Sequence, residues 1–164
     1  MPELADERLS LPLEQGVLLW CMRSWVLEMR HPSGLEPKIH DMLDRFGVPR
    51  ASNHLQSFMS VLSQGAARMI GVQCVCCTRI GADERALLDV LGLAQDMRPF
   101  EALLLLRGLV TPECARAALQ CAEAVATVMA EAGRFLPAPD EEVCRYTLAP
   151  LPGAAGRPAD ATLH

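Results

Sequence analysis

The sequence predicts an all-α protein, a single domain of five to six helices, and three observations lead to this expectation. A length of 164 residues suits one ordinary core. The composition is 51% hydrophobic but only 4% aromatic, which favours closely packed helices built from Leu, Ala, Val and Met. Apolar residues also recur at the helical period over most of the chain. We therefore expect a helical bundle.

The first predicted helix begins after Ser10, which can cap it, and ends at about Arg30. Its apolar residues lie on two sides, which is typical of a helix that is central or shared between subunits. Large aromatic side chains dominate subunit contacts, although both tryptophans could equally pack inside the core. The candidate interface residues on this helix are Trp20, Met22, Trp25 and Met29.

Two shorter helices are expected next, the second from Pro37 to Gly47 and the third from about Pro49 or Ser52 to Arg68. In the second helix, the apolar residues fall at positions i, i+3, i+4 and i+7, which is a clear amphipathic pattern.

Residues 39–62 resemble a helix-turn-helix at a glance, and the side chains that would read DNA are Arg50, Asn53 and Gln56. Asn53 and Gln56, however, occupy positions where such a motif usually carries apolar residues. A plain helical hairpin explains the same segment, so DNA binding is the weakest of the functional alternatives.

A pattern of period two replaces the helical one near residues 70–77. Every second position there is apolar or a cysteine, which predicts a short extended segment. These positions are Ile70, Val72, Cys74 and Cys76. A lone strand needs a partner. The segment is therefore expected either to pair with its own copy across a dimer axis or to lie as an extended loop over the helices.

Three more helices are predicted, beginning at Gly81, at Pro99 and at the Thr111-Pro112 pair. The acidic first turn of the fourth helix suits the positive end of the helix dipole. The fifth is apolar almost all round from Phe100 to Leu106, so we expect it to be fully buried. The last runs to Gly133.

The chain is expected to have three parts: an N-terminal arm (residues 1–9), the helical domain (residues 10–136) and a Pro-rich tail (residues 137–164). The tail contains five prolines and no helical stripe, which is typical of a segment that is disordered or only docked. The side chains best suited to dock it are Val143, Tyr146 and Leu148.

Charge and composition predict the cellular setting. A net charge of −5 gives no broad electrostatic surface for nucleic acid or an anionic membrane. Acidic residues precede any apolar run at the N-terminus, and the apolar runs are too short to span a bilayer, so a cytoplasmic location is expected. Fourteen of the 15 basic residues are Arg, which we interpret as the codon bias of a GC-rich bacterial genome.

Seven cysteines form the most informative set, because an odd count without a secretory signal favours free or metal-bound thiols over a disulfide framework. Cys74, Cys76 and Cys77 stand in one cluster. In an extended backbone, the thiols of Cys74 and Cys76 point to the same side, and Cys77 can join them if the chain turns. The cluster is a candidate site for zinc or iron or a redox thiol pair, and the competing interpretation is simple packing.

Motifs of catalysis and cofactor binding do not occur: there is no G-x-S-x-G, no P-loop and no H-E-x-x-H. We therefore assign no catalytic or cofactor-binding residues and lean against an enzyme. The leading hypothesis is a small bacterial helical interaction or regulatory module that acts as a homodimer and has a possible further protein partner. The main alternative is a metal-binding or thiol-redox protein that uses the cysteine cluster.

Overall fold

A computed structural model describes residues 6–141 and confirms the all-α class. Across these residues the chain forms six α-helices and no strand, with a short 3₁₀ turn (Glu7–Ser10) before the first helix. The helices are α1 (Leu13–Arg30), α2 (Glu36–Arg45), α3 (Ala51–Gly65), α4 (Ala82–Gln95), α5 (Pro99–Arg107) and α6 (Pro112–Glu131).

Helix α6 is the centre of the bundle and packs against α3, α4 and α5, whereas α1 packs against α2, α3 and α4. The buried face of α6 consists mainly of small side chains, which allow the neighbouring helices to approach closely. These residues are Ala115, Ala118, Ala122, Val125, Ala126, Val128 and Met129.

Two local expectations are wrong. Ser10 does not cap helix α1: Pro12 occupies the N-cap position without a side-chain hydrogen bond, and the Ser10 hydroxyl donates to the Glu7 carbonyl oxygen at 2.6 Å within the 3₁₀ turn. Helix α5 is not fully buried: the Phe100 side chain is 70% exposed, and only Ala102, Leu105 and Leu106 are buried. The physical reason is that α5 packs mainly on α4 and α6, so its outer face meets solvent.

The segment between α3 and α4 is an extended loop that lies over the helices and is not a strand. An isolated antiparallel bridge joins Ala66 to Val110 at its start. The chain then runs without helix to Gly81, where α4 begins as expected. This loop contains the cysteine cluster, and its anchoring is described below.

The chain after α6 turns back along α4, and Gln95 holds it there. The Gln95 side-chain amide donates to the carbonyl oxygens of Ala126 (3.1 Å) and Arg134 (3.0 Å), and its oxygen accepts the Leu136 N–H at 2.7 Å. Gln15 donates to the Pro137 carbonyl oxygen at 3.5 Å. The start of the predicted tail is therefore docked, while Val143, Tyr146 and Leu148 lie outside the described residues.

Asp89 on α4 is partly buried, and burial raises its pKa from 3.8 to about 6, with only partial compensation by the charge of Arg85. A carboxyl group whose pKa is raised by folding binds more protons in the folded state, so stability is lost as pH rises from about 4 to about 6. We expect Asp89→Asn to stabilise the protein by about 1–2 kcal/mol at pH 7.5 and by far less at pH 4. Thermal unfolding at the two pH values tests this, and an equal effect at both would contradict it.

Within the part of the chain that the structure describes, no helix is both long enough and apolar enough to cross a membrane.

Candidate functional site

A buried ion pair between α1 and α4 anchors the extended loop. The Arg23 Nε atom lies 2.7 Å from Glu84 Oε1, and its Nη2 atom lies 2.8 Å from Oε2, so the two groups meet in a bidentate contact. Both side chains are only 1% exposed. A pair buried to this degree is favourable only if its remaining donors and acceptors are also satisfied.

The backbone of the loop satisfies them. Arg23 donates to the carbonyl oxygens of Cys77 and Arg79, each at 2.7 Å. Glu84 accepts the N–H groups of Gln73 (3.0 Å) and Gly81 (2.8 Å). We call Arg23 and Glu84, together with these four backbone contacts, the clamp. It ties both ends of the cysteine-bearing stretch to the helical core.

The electrostatics of the clamp favour the charged forms. Burial opposes ionisation of Glu84, but the hydrogen bonds from Arg23, Gly81 and Gln73 outweigh that effect and hold its pKa below the usual value. The same contact with Glu84 raises the pKa of Arg23 above its usual value. The ion pair therefore stays charged across the neutral range.

Two further sets of contacts hold the loop at its surface. Asp83 accepts the Gly71 N–H at 2.7 Å and forms a bidentate ion pair with Arg68, with contacts of 2.7 and 2.9 Å. From the N-terminal 3₁₀ turn, Glu7 accepts the Ile80 N–H at 2.9 Å, and Arg8 donates to the Val75 carbonyl oxygen at 3.2 Å. The N-terminal arm thus reaches the cysteine cluster.

Cys74 to Cys77 form a turn that brings two thiols together. The Cys77 N–H donates to the Cys74 carbonyl oxygen at 3.0 Å, which closes the turn. The sulfur atoms of Cys74 and Cys76 lie 3.1 Å apart, and both residues are exposed, whereas Cys77 is half-buried. We call this segment the cysteine turn. Its exposed pair of adjacent sulfurs is able to undergo thiol chemistry.

The two thiols of the pair are not equivalent. The hydrogen bond shared with the Cys76 thiol, followed by the backbone N–H groups of Cys76 and Cys77 and the charge of Arg23, lowers the pKa of Cys74. The neighbouring Cys74 sulfur raises the pKa of Cys76. The pair therefore favours one thiolate next to one protonated thiol, because two adjacent negative charges repel each other.

A metal site with three protein ligands is not supported. Among residues 6–141, no group of three His, Cys, Asp or Glu side chains is arranged to hold a metal ion. The role of Cys74, Cys76 and Cys77 as zinc or iron ligands therefore stays a prediction from the sequence, without support from this geometry. Outside the cluster, Cys21 is buried in the core and Asp83 is paired with Arg68.

The other described cysteines pack against the core. Cys21 is fully buried, and burial raises its pKa to about 12. Cys114 and Cys121 on α6 are half-buried against the core, and burial also raises the pKa of Cys121. A thiol that is protonated and shielded is a poor nucleophile, which separates Cys21 and Cys121 from the exposed pair in the cysteine turn.

The candidate interface residues of α1 are not all at the surface. Met22 is buried in the core of the chain. Trp20 and Trp25 are half-buried, and Met29 is 63% exposed. Trp25 and Met29 line a cavity of about 370 Å³ between α1, α3 and the start of the loop, together with Met59 and Met69. We call this cavity the methionine groove.

The residues that would read DNA form an ion pair or line a cavity in the structure. Arg50 forms an exposed ion pair of 3.3 Å with Glu131 on α6. Asn53 and Gln56 line a second cavity, of about 320 Å³, which they share with Glu36 and His40 on α2. The Asn53 and Gln56 side chains, which a helix-turn-helix would use to read DNA, thus line a cavity between α2 and α3.

Sequence reasoning missed the two residues of the clamp as parts of a site. In the sequence, Arg23 ends an apolar run, and Glu84 stands in the acidic first turn of α4. A signal was present nonetheless, because Arg23 stands among core residues of α1, and an arginine that is buried there needs a partner. The sequence does not indicate which acid meets it, since Glu84 lies 61 positions away.

Comparison of the chain with protein-family models, curated proteins and solved structures finds no match. The class of protein is therefore defined by the fold and the site alone. It is an all-α protein with an exposed pair of adjacent thiols in a turn that a buried ion pair anchors.

Proposed function

We propose that this protein is a thiol-redox protein in which the cysteine turn cycles between a dithiol and a Cys74–Cys76 disulfide. One observation carries the proposal: the two exposed sulfur atoms lie 3.1 Å apart. A disulfide bond is about 2.05 Å long, so the sulfurs need to approach by roughly 1 Å to form it.

Exposure argues against a packing role for this pair. Cysteine that serves only to fill space is typically buried, whereas Cys74 and Cys76 are exposed and the loop that presents them is bound to the core through backbone groups. The anchoring fixes the turn and leaves both sulfurs accessible. That combination suits a site that reacts with a partner molecule and then returns to its starting geometry.

The setting that we propose is the bacterial cytoplasm, where the resting state is the dithiol. All six cysteines between residues 6 and 141 are free thiols, which fits a reducing compartment. In that compartment, an exposed dithiol responds to oxidants and disulfides and so can regulate the protein that carries it.

Equilibration in glutathione redox buffers, followed by alkylation and peptide mapping, tests the function. We expect a two-electron transition that forms one disulfide per chain, mapped to Cys74 and Cys76. Cys114→Ser and Cys121→Ser are matched controls, because they remove half-buried thiols elsewhere and leave the transition unchanged. No intramolecular disulfide at any buffer ratio, or one that omits Cys74 and Cys76, would contradict the proposal.

We also propose, as a separate function, association into a homodimer through the methionine groove. The proposal is supported by apolar side chains that line the groove and are exposed to solvent. Met29 is 63% exposed and Met69 is 87% exposed, and the half-buried Trp25 lines the same groove. Contiguous apolar surface of this kind is typical of interaction sites. Light scattering is expected to give the mass of two chains and, for Met29→Glu with Met69→Glu, that of one. A monomeric unmodified protein would refute this proposal.

A further inference from the structure

We propose that the cavity between α1, α2 and α3 binds a small organic ammonium compound, whose positive charge meets the Glu36 carboxylate and the indole of Trp25. We call this cavity the Trp25 cavity. It is separate from the cysteine turn, so the proposal depends on neither the redox function nor the homodimer. Its volume of about 320 Å³ lies within the range of about 300–1,000 Å³ that is typical of small-molecule sites.

The floor of the Trp25 cavity is apolar and belongs to the core. Cys21, Ile39 and Leu55 line it and are at most 7% exposed. Trp25 is half-buried and lines the cavity from α1. Such a floor removes the apolar body of a ligand from water, and a tryptophan side chain attracts a cation that lies over its ring. The cavity therefore suits a ligand that combines a hydrocarbon part with a positive charge.

The formal charge along the cavity is negative. Glu36 and Trp25 both line the Trp25 cavity and an adjoining space of about 60 Å³. None of the described residues that line these two spaces is Lys or Arg. The methionine groove differs in this respect, since Arg30 and Arg68 line it. A cation is therefore expected to bind in the Trp25 cavity and not in the groove.

The Glu36 side chain is available to receive this cation. Among the residues that the structure describes, it has neither an ion-pair partner nor a hydrogen-bond partner. Glu28, the other acidic residue of the adjoining space, accepts the backbone N–H groups of Ser33 and Leu35, each at 2.9 Å. Because Glu28 is committed to the connection before α2, Glu36 is the carboxylate that can pair with a ligand.

The rest of the rim is polar. Asn53 and Gln56 on α3 and His40 on α2 line the cavity and are exposed, and their side chains have no hydrogen-bond partner within the described part of the chain. An apolar floor with a few polar groups is the usual composition of a small-molecule site. A cavity left by imperfect core packing is apolar on all sides, so this composition favours a binding site.

Chemical-shift titration of the unmodified protein with benzylamine, benzyl alcohol and benzoate tests the proposal. These three probes carry the same ring with a positive, a neutral and a negative group. At pH 7.5 we expect benzylamine to bind with a Kd of about 1 mM or below, and about tenfold more tightly than benzyl alcohol. The shifts are expected at the Trp25 indole N–H and in the first turns of α2 and α3.

Two substitutions with matched controls locate the site. Glu36→Gln and Trp25→Leu are each expected to weaken benzylamine binding about fivefold to tenfold. Glu113 also lies in the first turn of a helix, and Trp20 is also half-buried on α1, but neither lines the cavity. Glu113→Gln and Trp20→Leu are therefore expected to leave the Kd unchanged.

Several outcomes would overturn the proposal. They are no binding of benzylamine up to about 10 mM, equal affinity for benzylamine and benzyl alcohol, and shifts confined to the methionine groove. An unchanged Kd in the Glu36→Gln protein would exclude the ion pair, and thermal unfolding confirms that each variant is folded. Tighter binding of N-acetyl-lysine methylamide than of benzylamine would replace a free amine by a lysine side chain as the ligand.

Discussion

Arg23→Met is expected to lower the free energy of unfolding by about 3–5 kcal/mol, because it leaves the Glu84 carboxylate buried without its cation. The substitution also removes the donors to the Cys77 and Arg79 carbonyl oxygens. We therefore expect the cysteine turn to lose its anchor, with faster amide exchange from Gln73 to Gly81. Urea unfolding at pH 7 measures the first effect and hydrogen exchange measures the second.

Two controls make this result specific. Arg50→Met removes an arginine from the exposed pair with Glu131 and is expected to cost less than about 1 kcal/mol. Arg23→Met combined with Glu84→Met removes both buried charges, so it is expected to recover part of the lost stability. A single Arg23→Met variant as stable as the unmodified protein would show that the clamp contributes nothing.

The clamp also predicts a pH dependence. The pKa of Glu84 is lowered in the folded protein from its usual value of 4.5, so the clamp's contribution is fully present above that value and is lost as pH falls through the folded-state pKa. The stability difference between the unmodified protein and Arg23→Met is therefore expected to shrink below pH 4.5. A constant difference down to pH 3 would contradict a charged clamp.

Gly92→Ala is expected to destabilise the protein by about 1–3 kcal/mol or to displace the docked segment that follows α6. A Cβ atom at Gly92 would overlap the Pro137 carbonyl group and crowd Ala138, and both are backbone contacts that no side-chain rotation relieves. Helix α4 therefore requires glycine where this segment crosses it. Urea unfolding measures the stability, and limited proteolysis after α6 detects release of the segment.

Gly16→Ala is the matched control for this substitution. Gly16 lies within α1, and an added Cβ atom meets no heavy atom within 4 Å. Alanine is a better helix former than glycine, so the change is expected to stabilise the protein by about 0.5–1 kcal/mol. If the Gly92→Ala protein proves as stable as this control, the close approach of Pro137 is not a constraint.

Local patterns in the sequence were sufficient to predict the helices. The i, i+3, i+4, i+7 spacing placed α2, and the Thr111-Pro112 pair placed the start of α6, because capping and amphipathic burial are local properties. The burial of α5 was not predictable in this way. Its apolar residues extend all round, and only the number of helices that pack against it decides which of them are covered.

The candidate site was predictable only in part. Alternation near residues 70–77 indicated an extended segment that presents Cys74 and Cys76 together, and the structure places their sulfurs side by side. The shape of the cysteine turn depends on the hydrogen bond from the Cys77 N–H to the Cys74 carbonyl oxygen, and its anchoring depends on the contact between Arg23 and Glu84. Both features arise from the tertiary structure, so the spacing of residues in the sequence does not predict them.

The clamp couples the thiol pair energetically to the helical core. Arg23 on α1 pairs with Glu84 on α4 and donates to the Cys77 carbonyl oxygen. A change in the backbone of the turn therefore acts on a side chain that joins the two helices. Free-energy coupling is reciprocal. On the redox function proposed above, a ligand that binds the reduced and oxidised forms with different affinities shifts the redox equilibrium of the pair, and oxidation of the pair changes the affinity for that ligand by the same factor.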